Sequence, residues 1–361
     1  MTALGAPAER ILLGHGGGGS LMQQLIDAEL RSLYPDPAAP LHDAARLELP
    51  HGRLAFSTDG YVVHPLEFPG GDIGRLAVVG TCNDLAMAGA RPLQLSLALI
   101  LEEGLELALL RRILASVRAA AHECGVQVVT GDTKVVERGK GDGAFLTTTG
   151  IGLLTQQQPI GPEAIQAGDQ LVLSGDLGRH GIAILAARHG LELSPPLLSD
   201  CAPLWPLVEA LLARGVRPHC LRDLTRGGLA SALHELATAA GLEFHLQEGQ
   251  IPVAVAVARC AELLGLDPLH LANEGRLVAV VARSDLAATL ELLEPLGGAW
   301  IGSVVATASD PLAPGPAAIG PPTSGPAAPS PYQLPRVILA TAFGSQRLLV
   351  PLSGELLPRI C

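Results

Sequence analysis

From Leu47 to Leu154 the apolar pattern switches back and forth between the period of a strand and that of a helix, and the switching resumes in the second half of the chain. That alternation constrains the fold more than any other feature. Leu54 to Ser57 reads as a strand, and Asp72, after the loop Gly70-Gly71, is placed to cap a helix running from Ile73 towards Ala88. Pro92 to Leu101 reads as a buried strand. Glu106 to Cys124 has helical spacing through Leu107, Leu110, Ile113, Leu114 and Val117, and Gln127 to Thr130 and Ala144 to Leu154 read as further strands.

Beyond Gly161 the pattern predicts a strand at Gln170 to Ser174 and helices at Gly181 to His189, Leu204 to Arg214, Gly228 to Ala240 and Val253 to Leu264. Strands near Leu242 to Leu246, Arg276 to Val281 and Trp300 to Val305 separate or follow them. The expected class is α+β: two mixed α/β domains of similar size, not one doubly wound sheet. The length of 361 residues agrees, since domains commonly run to about 100–200 residues. The division read from the chain is a glycine-rich segment with a helix candidate (1–36), a first domain (37–155), a second domain (156–305), an insert (306–335) and a last strand with a tail (336–361). The Ala306–Pro335 insert is dominated by Pro, Ala, Gly and Ser and lacks the apolar surface needed to offset its ordering entropy, so it reads as a flexible spacer.

Charge excludes some functions. Lys and Arg total 24 against 35 Asp and Glu, a net charge of -11, so the basic footprint of a nucleic-acid binder is absent. An acidic chain that binds anions must use metal ions, helix N-termini or local cations. No apolar run approaches the ~20 residues of a membrane span, and Glu9 and Arg10 precede any run that would serve as a secretory signal. Six scattered cysteines with no CxxC pair predict thiols in a reducing compartment, hence a cytoplasmic protein.

Carboxylates recur just after strands, among small residues: Asp59 in Ser57-Thr58-Asp59-Gly60, Asp84 in Thr81-Cys82-Asn83-Asp84, Asp132 in Gly131-Asp132-Thr133-Lys134, and Asp223 in Asp223-Leu224-Thr225-Arg226-Gly227-Gly228, with Asn273-Glu274-Gly275 a fifth candidate. Any one of them alone reads as a helix or turn cap, the usual role of an isolated Asp before Gly. Together they suit polyphosphate chemistry on Mg2+, which needs hard oxygen ligands converging from different segments with room for phosphates. The run His15-Gly16-Gly17-Gly18-Gly19, followed by a helix candidate from Leu21 to Leu33, is either a phosphate cradle or a plain hinge; no Lys-Ser/Thr follows to make it a Walker A loop. Lys134 is either a charge-neutralising or proton-transferring group, or an ordinary surface lysine beside Arg138 and Lys140. Cys361 ends a tail with little reason to be packed, open to presentation to a partner or to folding back into a site.

These motifs, with Phe68-Pro69-Gly70-Gly71-Asp72-Ile73-Gly74, Ala272-Asn273-Glu274-Gly275 and the closing Pro358-Arg359-Ile360-Cys361, resemble the HypE family of nickel–iron hydrogenase maturation factors, within the PurM-like superfamily of aminoimidazole ribonucleotide synthetases. The aspartate motifs mark the superfamily and the closing tetrapeptide marks HypE. The resemblance implies a homodimer with the N-terminal domain in a shared barrel-like core. It implies ATP and Mg2+ held by Asp59, Asp84, Asp132 and Asp223, with Asn83 and Thr225 beside the nucleotide and the glycine run closing over it. It further implies that a carbamoyltransferase, HypF, loads a carbamoyl group onto Cys361, that the S-carboxamide is dehydrated to a thiocyanate, and that cyanide passes to iron on a HypC–HypD complex. Lys134 would stabilise phosphoryl charge and Glu274 or Lys134 would be the base.

Two other outcomes stay open at this stage: another PurM-like kinase or ligase acting on a small molecule, or a non-catalytic scaffold for metallocentre assembly that uses the tail as a docking peptide. The chain from Gly344 to Cys361, at no more than ~3.3–3.6 Å per residue, is long enough to cross a domain, which allows Cys361 both an outward and an inward pose.

Overall fold

The computed structural model describes residues 9–17, 19–36, 44–307, 336–351 and 359–361. Gly18 of the glycine run, all but the first two residues of the Ala306–Pro335 insert, and residues 352–358 of the tail lie outside the described residues.

The first half starts with a short helix α1 (Ser20–Leu25), continued by looser helical turns to Leu33, and then builds β1 (Leu54–Tyr61), the small hairpin β2 (Glu67–Phe68) and β3 (Gly71–Asp72), helix α2 (Ile73–Met87), β4 (Ala90–Glu102), α3 (Leu107–Cys124), β5 (Gln127–Val136) and β6 (Ala144–Leu154). Asp72 caps α2 as the sequence predicts: its Oδ1 accepts the Arg75 backbone N–H at 2.8 Å. Every residue of α2 except Arg75 and Asp84 is buried or packed, because the helix lies between the sheet, α3 and the second half of the chain. By contrast α3 buries one stripe, Leu110, Ile113, Leu114, Val117, Ala120, Ala121 and Cys124, and turns its other side towards solvent.

The four strands run in the order β1-β6-β4-β5, with β4 and β5 parallel and the other pairs antiparallel. Thus β1 and β5 are the two edges. One face packs on α2, where the Tyr61 hydroxyl meets Thr81 Oγ1 at 3.0 Å. Strand alternation sends Leu54, Phe56 and Ile100 to the other face, where they are 43%, 71% and 40% exposed.

The second half comprises β7 (Gln170–Leu173), α4 (Arg179–His189), α5 (Trp205–Ala213), β8 (Cys220–Asp223), α6 (Gly228–Ala240), β9 (Glu243–Gln247), α7 (Val255–Leu264), β10 (Leu277–Val281), α8 (Leu286–Leu293), β11 (Ala299–Val305), β12 (Val337–Ala340) and β13 (Gln346–Leu348). Its sheet has the order β13-β12-β9-β11-β7-β10-β8. The central strands are buried on both sides: Leu171 and Leu173 face a cluster with α6, while Val172 faces one with Trp205 and Val208 of α5 and Leu293 of α8. Helix α8 and strand β13 are additions to the predicted elements; both are too short for a period to declare itself.

The structure corrects the expectation that the carboxylates follow strands. Asp59 and Asp132 lie inside β1 and β5, Asp84 lies in the last turn of α2, and Asp223 is the final residue of β8. Strand β5 continues through Gly131 to Val136 because it pairs with β4 along its whole length, as far as Val136 opposite Glu102.

Candidate active site

The candidate residues fall into two groups on one chain. The first lies where β1, α2, β8 and the loop before β10 meet. Asp59 sits on β1 with its Oδ1 accepting the Gly60 N–H at 2.8 Å. Asp84, from α2, accepts the Ser57 hydroxyl on Oδ2 at 2.7 Å. Burial raises the Asp84 carboxyl above its ordinary range, opposed by the Ser57 hydrogen bond and reinforced by the charge of Asp59. Asp223 is pushed up to about 7, first by burial and then by Asp84. Glu274 is 3% exposed, and burial followed by the charges of Asp223, Asp200, Asp59 and Asp84 holds it well above the usual carboxylate range. Its Oε1 is buried without a hydrogen-bond partner. Thr225 follows on the loop from β8, with its main-chain oxygen accepting the Gly228 N–H at 3.0 Å.

Asn83 ties this group together through its amide. Its Nδ2 donates to the main-chain oxygens of Ala202 and Glu274, both at 3.2 Å, and its Oδ1 accepts the Leu204 N–H at 2.8 Å. The side chain therefore joins α2 to the second half and fixes the main chain at Glu274.

The second group lies on the opposite edge of the four-stranded sheet. Lys134, on β5, donates to both carboxylate oxygens of Asp132, at 2.8 and 2.7 Å, and this pairing lowers the Asp132 pKa. His15 closes the short turn before the glycine run, its Nδ1 accepting the Leu12 N–H at 2.9 Å. Gly16 lies so close to β5 that a Cβ would come within 2.6 Å of the Val135 nitrogen. Gly17 donates its N–H to the Gly14 oxygen at 3.3 Å, and the Gly19 oxygen accepts the Gln23 N–H at 3.1 Å. Three inter-strand steps separate β5 from β1, about 14 Å at ordinary strand spacing, so Asp132 does not join Asp59 within one chain.

The last three residues fold back on the first group's side. Val62 N–H donates to the Cys361 main-chain oxygen at 3.1 Å and His64 N–H to the Arg359 oxygen at 3.2 Å, an antiparallel bridge centred on Val63 and Ile360. Ile360 is buried, and Cys361 is half-buried against the first core. Behind this bridge stand groups that the motif reading passed over. Asp200 accepts the His180 backbone N–H on Oδ1 at 3.1 Å and the Gly275 N–H on Oδ2 at 3.3 Å, so it links the helix that touches the tail to the residue beside Glu274. Its only sequence signal was a polar Ser199-Asp200 pair after a proline-rich loop.

Among the described residues no three His, Cys, Asp or Glu side chains converge closely enough to hold a metal ion alone. The donor set of the first group nevertheless fits a hard divalent cation. Asp84 and Asp223 stay raised even though Arg222 opposes the shift at both and Arg226 at Asp84, and an orphaned Glu274 oxygen lies beside them. Mg2+ is commonly held by one or two carboxylates with phosphate oxygens completing the shell.

Comparison places this architecture in a known class. Residues 41–154 match the N-terminal domain of AIR synthase related proteins and residues 166–311 match the C-terminal domain. A carbamoyl dehydratase HypE of Rhodobacter capsulatus is 46% identical over 361 residues, covering 98% of each chain. A solved hydrogenase maturation protein HypE in complex with ATP superimposes with a TM-score of 0.87 at 42% identity, covering 97% of this chain and 99% of the other. A chain from a HypE–HypF complex gives 0.72 at 35% identity, covering 92% and 100%. The chain belongs to the HypE family, the carbamoyl dehydratases of hydrogenase maturation.

Proposed function

We propose that this chain uses ATP to dehydrate an S-carboxamide carried on its own Cys361 to a thiocyanate, which supplies the cyanide ligands of a nickel–iron centre. The observation that carries this reading is the docked tail: Cys361 is held at Val62, three residues along the chain from Asp59, and the His180–Asp200–Gly275 line runs from the tail to Glu274.

An amide oxygen is a poor leaving group. Its attack on the γ-phosphorus of ATP expels ADP and turns the oxygen into a phosphate ester. Cleavage of that C–O bond then releases phosphate while the two N–H protons are removed, so carboxamide and ATP become nitrile, ADP and phosphate. Burial and the neighbouring carboxylates raise Glu274 well above the usual carboxylate range, so in its ionised form it is a strong base. It takes one N–H proton and the departing phosphate carries off the other. Lys134 and Asp132 approach the phosphates as a pair, the lysine stabilising charge on the transferring group. Asn83 acts by fixing the Glu274 main chain, Thr225 lines the approach behind Asp223, and the glycine run of His15 to Gly19 closes over the nucleotide. Asp59, Asp84 and Asp223, with Asp132 completing the set, would hold Mg2+, which would supply positive charge to neutralise the phosphates.

Because the two groups occupy opposite edges of the sheet, the reading requires a second copy. Two sheets stacked on their open faces would bury Phe56, Leu54 and Ile100 and bring β5 of one copy near β1 of the other. The homodimer is thus part of the proposal, with residues 37–155 as its core and 156–305 as the flanking domain. A HypF carbamoyltransferase would load Cys361 and a HypC–HypD complex would receive the cyanide, in the cytoplasm. Among the described residues no helix is long and apolar enough to cross a membrane.

Mass spectrometry of the C-terminal peptide tests the reaction. After incubation with HypF and its carbamoyl donor, Cys361 is expected to carry a carbamoyl adduct that loses one water only when Mg-ATP is present. An unmodified Cys361 in a protein that still binds ATP would sink the reading.

A further inference from the structure

His180, on α4, is fully buried and its ring is committed at both nitrogens. Nε2 lies 2.8 Å from the Ile360 carbonyl oxygen, and because a carbonyl only accepts, Nε2 carries the proton. Nδ1 lies 2.8 Å from Ser199 Oγ, so the hydroxyl donates to it. Ser199 Oγ in turn accepts the Cys201 N–H at 3.1 Å. The Phe68 ring closes the site edge-on, with centroids 5.4 Å apart and planes at 89°. Burial lowers the imidazole's pKa against the Ile360 hydrogen bond and the facing charge of Asp200, so the ring is neutral; the Ile360 carbonyl fixes its tautomer and the Ser199 hydroxyl completes it from behind.

Further along α4, Arg188 takes hold of the same tail. Its Nη2 donates to the Arg359 oxygen at 2.8 Å and to the His64 oxygen at 3.1 Å, and its Nε donates to the His64 oxygen at 3.2 Å. Arg359 itself holds a left-handed backbone with φ 54°, rare for a residue with a side chain, while its Nη1 donates to Asp142 at 2.9 Å. A tripeptide does not adopt that conformation by default; the contacts impose it.

We propose that His180, with Arg188 on the same helix, is the latch that holds the last three residues in their docked pose and so positions Cys361 for the dehydration step. The proposal rests on the tail reaction set out above. His180 is a positioning residue, since it acts on the main chain of Ile360. Loading by a carbamoyltransferase needs the tail undocked and dehydration needs it docked, so loss of the latch moves the two steps in opposite directions: carbamoylation of Cys361 is unchanged or faster, and loss of water from the adduct is slower.

Alkylation of Cys361 by iodoacetamide, followed on the C-terminal peptide with half-buried Cys260 as internal reference, tests the latch in the full chain without ATP or partner. His180→Leu is expected to label about tenfold faster, the effect of losing one well-made buried hydrogen bond. His180→Gln keeps an N–H for Ile360 and an oxygen for Ser199 and should label near the wild-type rate. Arg188→Ala, at a half-exposed position where folding is not at stake, should also label faster. Wild-type rates in both His180→Leu and Arg188→Ala, or a His180→Gln rate equal to that of His180→Leu, overturn the proposal. If the contrast appears while the wild-type chain never forms thiocyanate, the latch stands and the dehydration reading falls.

Discussion

At the residue scale, the site is a set of carboxylates gathered against their own repulsion, and this has a measurable consequence. Asp223 titrates at about 7 in the fold against an ordinary value of 3.8. Below about pH 4 the group is protonated folded or unfolded and the full stability is present. Between ~4 and ~7 the unfolded chain releases the proton while the folded chain keeps it, so stability falls as pH rises, by an amount on the order of 4 kcal/mol for so large a shift. Above about 7 the folded form ionises too and the loss levels off. Without nucleotide or divalent cation, the melting temperature should therefore decline from pH 5 to 8, and Asp223→Asn should flatten part of that slope. If Asp59, Asp84 and Asp223 hold Mg2+ as proposed, the folded chain alone offers that site, and added Mg2+ should recover stability at pH 8 in the wild type. Equal slopes in wild type and variant would show that Asp223 is not held protonated.

At the element scale, much was legible because local chemistry decided it. The Asp72 cap, the apolar stripe of α3 and the Gly228–Ala240 span of α6 all follow from residues within one or two turns of each other. The end of β5 was not legible, because Gly131 reads as a strand terminator until its neighbour is known. In the fold a Cβ at Gly131 would sit 2.2 Å from the Leu97 carbonyl oxygen of β4, so glycine is the residue that lets two parallel strands close. Gly131→Ala must part those strands, since the obstacle is backbone. A loss of roughly 2–4 kcal/mol is expected, along with displacement of Asp132 and Lys134 just beyond. The melting temperature should fall and ATP-dependent dehydration should be lost with it; an unchanged melting temperature would remove the close-approach account. His180 and Asp200 were likewise invisible from motifs, because their role comes from a contact with the tail made across the fold.

At the scale of the whole molecule, the motifs named the candidate residues but not the edge of the sheet on which each would stand, since strand order is a long-range property. The order β1-β6-β4-β5 sets Lys134 and Asp132 at one edge and Asp59 at the other, with Asp84, Asp223 and Glu274 gathered beside it. A site completed between two copies makes a prediction that a single-chain site does not. Lys134→Ala and Glu274→Gln should each abolish dehydration alone. Mixed in equal amounts and allowed to exchange subunits, half of the dimers become heterodimers. In each heterodimer one site draws its lysine from the Glu274→Gln chain and its glutamate from the Lys134→Ala chain, and so is wild type, while the other site carries both changes. The mixture should thus recover about one quarter of the wild-type activity per site. If both residues serve the same site from one chain, no pairing restores activity and the mixture stays dead. Phe56→Glu supplies the matching control: it places a charge on the open face that the second copy would cover, so it should yield a monomer by light scattering and suppress the recovery even when both other variants are present. A dimeric, fully active Phe56→Glu protein would instead place the interface elsewhere and return the two groups of residues to separate roles.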